Sequence, residues 1–394
     1  MPLILDLTET ARTTFHSGIQ RVCRQTLAEL TATGASTVPL VYDSSTANWH
    51  RPNPAERALL STSAAERSRP PQDKPSSLSV FRKLFARDEA KLDWATLRGS
   101  PLLVPEISPT SFRAYPELRA RLGGVAGAIF YDAVLLRLPQ YSDADTNAWF
   151  CDYLRSLAQF DGIAAISESS RTDLLEFWGS LGVSDPPPVI SISLAADPPP
   201  LRSAPPDRTA SEPLVLCVSS IEGRKNHLAL LEAAEILWNK GSRFRLVLAG
   251  RHSPRFAHHV TQRAAELSAA GRSLDVPGAV TDSHLWELYA ACRFTVYPSI
   301  FEGFGLPVAE SLQHHRPCIC GPGGALAEVA SGGGCIMVSE PTAPHLAEAM
   351  SKLLQDDVLL ARLTSEAAHR RFPTWAEYGR QILAWMGTLR RRPH

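Results

Sequence analysis

Short apolar runs recur along the chain. Each gives way to a polar turn, and then to a segment whose apolar positions fall three and four apart. In the first half the runs are Leu3–Asp6, Val38–Tyr42, Pro101–Pro105, Val125–Tyr131, Gly162–Ile166 and Val189–Ser193. In the second they are Leu214–Val218, Phe244–Ala249, Leu274–Gly278, Phe294–Tyr297, Pro317–Cys320 and Gly332–Val338. Continuous apolar runs bounded by turn residues suit strands covered on both faces, as in parallel sheets. Between them, Ile19, Val22, Cys23, Thr26, Leu27 and Leu30 share a helix face, and so do Trp149, Tyr153 and Leu157. Ser167 is placed to cap a helix that carries Leu174, Leu175 and Phe177. Further helices are predicted at 227–238, 260–270, 283–291 (capped by Asp282 or Ser283) and through most of 343–391. The alternation predicts an α/β chain with two Rossmann-like, doubly wound parallel sheets facing a central cleft.

Composition breaks this rhythm twice. From Asn48 the chain turns polar and rich in Pro, Ser, Ala and Arg, and it reads as a loosely packed excursion over about 48–98. Within that excursion, Ser76–Arg87 sets Val80, Phe81, Leu84 and Phe85 beside Arg82, Lys83 and Arg87. This reads as a short basic amphipathic helix, packed on its own domain or lying on an anionic membrane surface. The second break holds Pro198, Pro199, Pro200, Pro205 and Pro206, a stiff extended linker. The predicted organisation is a first domain at 1–195, a linker at 196–213, a second domain at 214–372, and a C-terminal helix at 373–394 able to cross back to the first domain.

Candidate chemistry concentrates after Phe294–Tyr297, in the stretch Pro298-Ser-Ile-Phe-Glu-Gly-Phe-Gly-Leu-Pro-Val-Ala-Glu310. Gly303 and Gly305 let the backbone turn tightly and approach a ligand. Pro307 suits the first position of a helix. The N–H groups from Gly305 to Val308 then lack internal partners and favour an anion. Glu302 and Glu310 bracket this turn as acceptor-only side chains, which suits a ligand with a phosphate and several hydroxyls. Either glutamate alone reads equally as a surface charge. Arg224 and Lys225, in the loop after Leu214–Val218, are adjacent cations at a strand's carboxyl end, fit to neutralise a diphosphate. In the first half, Gly18 opens a strand–loop–helix step. Arg21 reads as a phosphate ligand or a solvated helix charge. Asp132 ends a strand and is either a site residue or a helix cap.

The charge total is balanced at 40 basic and 40 acidic residues, which gives no steering toward nucleic acid. Seven scattered cysteines without a framework suggest reduced, buried thiols and a cytoplasmic location. Cys318 and Cys320, two apart with no second cluster, do not make a zinc site. Neither a signal peptide nor a membrane span is expected, so membrane contact would be peripheral.

The stretch Pro298–Glu310 resembles the Glu-x7-Glu signature of retaining GT-B glycosyltransferases of family 4. Glu222-Gly-Arg-Lys-Asn226 is similar to that family's phosphate loop, and Ser17-Gly-Ile-Gln-Arg21 to its N-terminal glycine loop. Phe130-Tyr-Asp132 and Ala165-Ile-Ser-Glu-Ser169 fit its N-domain strand ends. The resemblance implies a hexosyltransferase that moves a sugar from a nucleotide-diphosphate donor to a growing lipopolysaccharide or exopolysaccharide glycan or lipid-linked acceptor, with mannose or rhamnose donors favoured. It implies that Glu302 and the backbone of Gly303, Phe304, Gly305 and Leu306 hold the donor sugar, and that Glu310 holds the ribose. Arg224 and Lys225 would hold the diphosphate, with Val280 near the base. Glu302, Asp132 and Lys225 would carry catalysis, while Gly18, Arg21 and Tyr131 would face the acceptor. No cofactor and no metal is implied. The sequence departs from the pattern at Ser219-Ser220, where Gly-Arg is common, and at Tyr131, where His is common. It also departs at His314 or His315, where Gly is common. A sugar-nucleotide epimerase or a non-catalytic nucleotide-sugar-binding paralogue is the alternative.

Overall fold

The computed structural model describes residues 1–14, 18–61, 92–196, 212–253 and 257–392. The amphipathic segment Ser76–Arg87, most of the proline linker and Ser17 lie outside the described residues. Two compact units appear: one runs to Leu194 and resumes at Trp375, and the other is Ala195–Thr374.

The first unit is built on a seven-stranded sheet of β1 (Leu3–Asp6), β2 (Thr37–Asp43), β3 (Asn48–His50), β4 (Leu102–Val104), β5 (Ala126–Phe130), β6 (Gly162–Ala165) and β7 (Val189–Ser191). Their order is β3-β2-β1-β4-β5-β6-β7, parallel except for β3 against β2. Strands β1, β4, β5 and β6 are buried throughout, as apolar runs in a doubly covered sheet must be.

The polar stretch from Asn48 corrects the sequence reading. It begins with β3, whose Trp49 is 7% exposed, and continues into a helix at Pro54–Leu60. That helix is specified by local polar chemistry. The Asn53 carboxamide accepts from the N–H of Glu56, and the Glu56 carboxylate accepts from the N–H of Asn53, with Pro54 in the first turn. A reading by apolar periodicity passes over such a helix.

The C-terminal helix Trp375–Thr388 belongs to the first unit. It buries Trp375, Tyr378, Ile382, Trp385 and Met386. It reaches the sheet because β5 and β6 carry glycines. A Cβ on Gly127 would stand 2.7 Å from Trp385 and Met386, and one on Gly162 2.4 Å from Leu389.

The second unit holds a six-stranded parallel sheet: β8 (Leu214–Val218), β9 (Arg245–Ala249), β10 (Leu274–Gly278), β11 (Phe294–Tyr297), β12 (Cys318–Cys320) and β13 (Cys335–Met337), in the order β10-β9-β8-β11-β12-β13. Helices His227–Asn239 and Ala343–Gln355 cover one face. There Leu230, Leu231, Leu346 and Met350 pack with Phe244, Leu246 and Ile319. The helix at Asp282–Ala291 is capped by the Thr281 hydroxyl, one residue before the two expected caps.

The helix Leu306–Gln313 ends in a Schellman turn: Arg316 N–H donates to Ser311 O and His315 N–H to Leu312 O. His315 is the left-handed residue of that turn, with φ 54°. This is the physical reason a glycine is favoured at this position. His315→Gly is expected to raise unfolding stability by roughly 1 kcal/mol, because it relieves that left-handed strain. Urea unfolding at neutral pH checks this, and an unchanged midpoint would count against it.

Candidate active site

In the second sheet, β9 and β10 lie on one side of β8, while β11, β12 and β13 lie on the other. The winding therefore reverses between β8 and β11. The carboxyl ends of strands at such a switch point open a crevice where ligands bind. Arg224 and Lys225 follow β8, and Glu302 follows β11.

The two loops are tied to each other through backbone. Ile300 N–H donates to Arg224 O (3.0 Å). The Asn226 carboxamide donates to Pro298 O (3.3 Å) and Pro341 O (2.7 Å). Asn226 heads the next helix in a left-handed conformation with φ 58°, and its side chain spans loops rather than capping that helix.

These ties gather charge around one carboxylate oxygen. Glu302 is 7% exposed and Lys225 8%. Lys225 Nζ donates to Glu302 Oε1 at 2.5 Å and to the Tyr297 hydroxyl at 2.7 Å. Arg224 Nη1 lies 2.8 Å from the same Oε1. The Tyr297 hydroxyl (2.9 Å) and the Ser299 hydroxyl also donate to it. Every one of these contacts falls on Oε1, so Oε2 is the oxygen left to accept from a ligand hydroxyl. Burial by itself raises the Glu302 pKa. Lys225 and then Arg224 outweigh it and hold the carboxyl at about 2. Burial pushes Lys225 downward while Glu302 pulls it up.

A second loop fixes the turn from behind. Glu302 N–H donates to Gly323 O (3.3 Å), and Ala325 N–H donates to Glu302 O (2.9 Å). The approach is close enough that only glycine fits: a Cβ on Gly323 would stand 1.8 Å from Ile300 O, and one on Gly324 2.2 Å from Glu302 O.

Past Glu302, Gly305 holds φ 100°, and Leu306 rather than Pro307 is the first helical residue. The Val308 N–H donates to Gly305 O (3.0 Å), so it is not among the anion-facing donors that the sequence suggested. Phe304 is buried.

Glu310, half-buried, accepts from the Tyr289 hydroxyl at 3.1 Å. The Tyr289 ring stacks on His314 (4.6 Å between centroids, 15°) and packs in a cluster with Val280. Burial, then Arg316, lowers His314 to about 4, so it is a neutral ring at pH 7. Tyr289 is thus the residue that joins Glu310 to the Val280 loop. Its only sequence signal was an aromatic on the helix before β11.

The first unit carries the remaining candidates. Its winding reverses between β1 and β4. There the structure shows buried carboxylates that the sequence reading did not single out. Asp6 accepts from Thr8, Ser111 (2.6 Å) and Tyr115 (3.0 Å). Glu106 accepts from the N–H groups of Glu9 (2.6 Å) and Thr10 (3.0 Å) and from the Thr10 hydroxyl. Burial pushes both carboxyls up, and the charge of Asp6 adds to the shift of Glu106. Arg24, also buried, donates to Thr13 O (2.7 Å) and Leu59 O (2.8 Å). Together these groups hold residues 6–13; Gly18 is the exposed first residue of the helix Gly18–Ala32.

Arg21 lies over the Trp375 ring at 6.0 Å. Tyr131 is 3% exposed and its hydroxyl donates to Pro105 O at 2.6 Å, a bond that commits it to the core. Asp132 follows β5, and its Oδ1 accepts from Val134 N–H (3.1 Å), while Ala133 holds the N-cap position of the helix Val134–Arg137.

Known proteins resemble this chain in sequence and in fold. Residues 203–370 match the family model described as glycosyl transferases group 1. The serotype-specific mannosyltransferase WbdA of Escherichia coli is 27% identical over 80% of this chain and 38% of its own length. The O-antigen chain mannosyltransferase B of Escherichia coli is 27% identical over 58% of this chain and 61% of its own. The chain thus spans less than two thirds of these relatives. Among solved structures, sucrose-phosphate synthase from Thermosynechococcus elongatus superposes with a TM-score of 0.70 at 17% identity, covering 98% of both chains. Anabaena HepE, determined with UDP and glucose, also gives 0.70, at 15% identity over 99% of this chain and 100% of its own. The chain is therefore similar over residues 203–370 to glycosyl transferases of group 1, and its two units share the α/β, Rossmann-like fold of these solved neighbours.

Proposed function

We propose that the protein is a retaining glycosyltransferase of family 4 that moves a hexose, of mannose or rhamnose type, from a nucleoside-diphosphate donor to a growing surface glycan or lipid-linked acceptor. One observation carries this reading: Glu302, Arg224 and Lys225 converge at the switch point of the second sheet, with one carboxylate oxygen saturated and the other available. The mannosyltransferase relatives support the donor class, and the UDP complex of HepE supports a nucleoside diphosphate as the bound form.

In this reading the diphosphate lies against Arg224, with the Lys225 charge behind it. Glu302 Oε2 and the backbone of Gly303–Leu306 take the sugar hydroxyls. Glu310, oriented by Tyr289, takes the ribose, and Val280 borders the base. Asp132, Gly18 and Arg21 are the first unit's candidates for catalysis and for binding the acceptor. As the donor bond breaks, negative charge grows on the leaving diphosphate. Fixed cations that need no reorganisation stabilise it, so the scheme requires no metal. Departure and attack on one face of the sugar would retain its anomeric configuration. None of the described helices is long and apolar enough to cross a membrane. Contact with the cytoplasmic face of a membrane, where a lipid-linked acceptor resides, is part of the same proposal.

The test is a thermal-shift screen of nucleotide sugars followed by transfer to a lipid-linked mannan or rhamnan acceptor. At least one donor is expected to raise the melting temperature and to be turned over, and Glu302→Ala to remove the turnover. A protein that no nucleotide sugar stabilises, or whose Glu302→Ala variant turns over normally, would sink the proposal.

A further inference from the structure

Cys318 and Cys335 are register partners on the adjacent parallel strands β12 and β13. Neighbouring strands lie about 4.8 Å apart, inside the roughly 4.4–6.8 Å that a disulfide spans between Cα atoms. Cys320 stands two residues on from Cys318. Side chains alternate along a strand, so all three thiols lie on one sheet face. The face is identified by Thr295, the register partner of Cys318 on β11, whose hydroxyl meets that of Ser311 on helix Leu306–Gln313. The alternate residues Ile319 and Ile336 pack on the opposite face.

The three thiols are not equivalent. Cys318 and Cys320 are fully buried, while Cys335 is half-buried. The triple glycine Gly332–Gly334 leads into Cys335, and the Arg370 guanidinium donates to Gly333 O (3.0 Å) and to Val329 O (2.8 Å) in the helix Leu326–Ala330 before it. A cation beside a partly exposed thiol, with other thiols as donors, is the setting of a reactive cysteine. The thiols of Cys318 and Cys320, with Arg370, pull the Cys335 thiol well below its usual range, whereas burial pushes Cys318 up.

We propose that Cys335 is a peroxide-reactive thiol that Cys318 resolves into a disulfide across β12 and β13. In the first step the Cys335 thiolate attacks hydrogen peroxide. An S–O bond forms, the O–O bond breaks, and the departing hydroxide takes a proton to become water. The Cys318 sulfur then attacks the Cys335 sulfenic acid. The S–S bond forms, the S–O bond breaks, and the oxygen leaves as a second water with the Cys318 proton. Two thiols are oxidised and one peroxide is reduced to two waters. Because β12 runs directly into Gly321–Gly324, the loop behind Glu302, the bridge would form next to the candidate site.

Peptide mapping of the full chain after limited hydrogen peroxide treatment tests this. The protein is expected to lose two of its seven thiols and to yield a reducible peptide joining Cys318 to Cys335. Cys151, half-buried in the helix Ala144–Leu157, is the competing thiol, and C151S is expected to leave the link intact. C318S is expected to strand a sulfenic acid on Cys335 that dimedone traps. The proposal is overturned if wild-type protein loses Cys151 or another thiol first without the 318–335 peptide, or if the Cys320 thiol is the one found joined. The wild-type map decides the matter even if a serine variant folds poorly.

Discussion

Replacing Lys225 with methionine is expected to cost about 3 kcal/mol of stability and to weaken nucleoside-diphosphate binding by about tenfold to a hundredfold. Removing one partner of a buried ion pair strands the other charge, at about 3–5 kcal/mol. The low end applies because Arg224 still reaches Glu302 Oε1 at 2.8 Å. Loss of the buried charge behind the diphosphate gives the affinity change, which corresponds to roughly 1.4–2.8 kcal/mol.

The pH dependence follows from the depressed Glu302 pKa. A carboxyl held at about 2, against its ordinary 4.5, contributes stability that is fully present above about pH 4.5 and lost as pH falls toward 2. The shift corresponds to about 3 kcal/mol at about 1.4 kcal/mol per unit. Asp6 and Glu106 have raised values, and their contributions fall as pH rises, in the opposite sense. The difference between wild type and Glu302→Gln therefore isolates Glu302, and it should be flat above pH 5 and shrink below. Urea unfolding from pH 2.5 to 7, with calorimetric titration of UDP and GDP, measures both effects. If Lys225→Met unfolds like wild type and binds both diphosphates equally well, the charge cluster does not hold the phosphate.

Gly323→Ala is expected to damage the site from outside it. The added Cβ would stand 1.8 Å from Ile300 O and 3.1 Å from Phe301 Cα, and because these are backbone atoms no side chain can swing away. The cost is about 3 kcal/mol, the upper range for overpacking. The clash would be relieved by moving the 300–302 segment, which carries Glu302. A displacement near 1 Å at a reacting centre is worth about a hundredfold in rate. Gly179 is the control: it lies in helix Glu168–Ser180 with open space at its Cβ position, and alanine there should stabilise by up to about 1 kcal/mol. Thermal melts and transfer rates for the two variants separate a clamp from general glycine effects. A Gly323→Ala protein with wild-type melting and turnover would show that the loop does not hold Glu302.

The fold was largely legible from the chain. Strands covered on both faces are apolar throughout, and the glycine and proline turns between them carry local signals, so the sequence alone specified a two-sheet α/β protein. The residues that form the helix or strand ends around Glu302 and Lys225 were legible for the same reason: they sit at carboxyl ends of strands, fixed in the chain order. What escaped was chemistry without apolar period, such as the Asn53–Glu56 capping box, and everything that depends on strand order. The sequence places Arg224 and Glu302 far apart; only the β10-β9-β8-β11-β12-β13 order makes their strands neighbours. Pairing of successive parallel strands across their connecting segments likewise brings Cys335 beside Cys318, sets Gly323 against Ile300, and turns the Tyr131 hydroxyl to Pro105. Local propensity and burial are written residue by residue. The number of hydrogen bonds on one oxygen of Glu302 is a property of segments brought together by the sheet, and no window along the chain contains it.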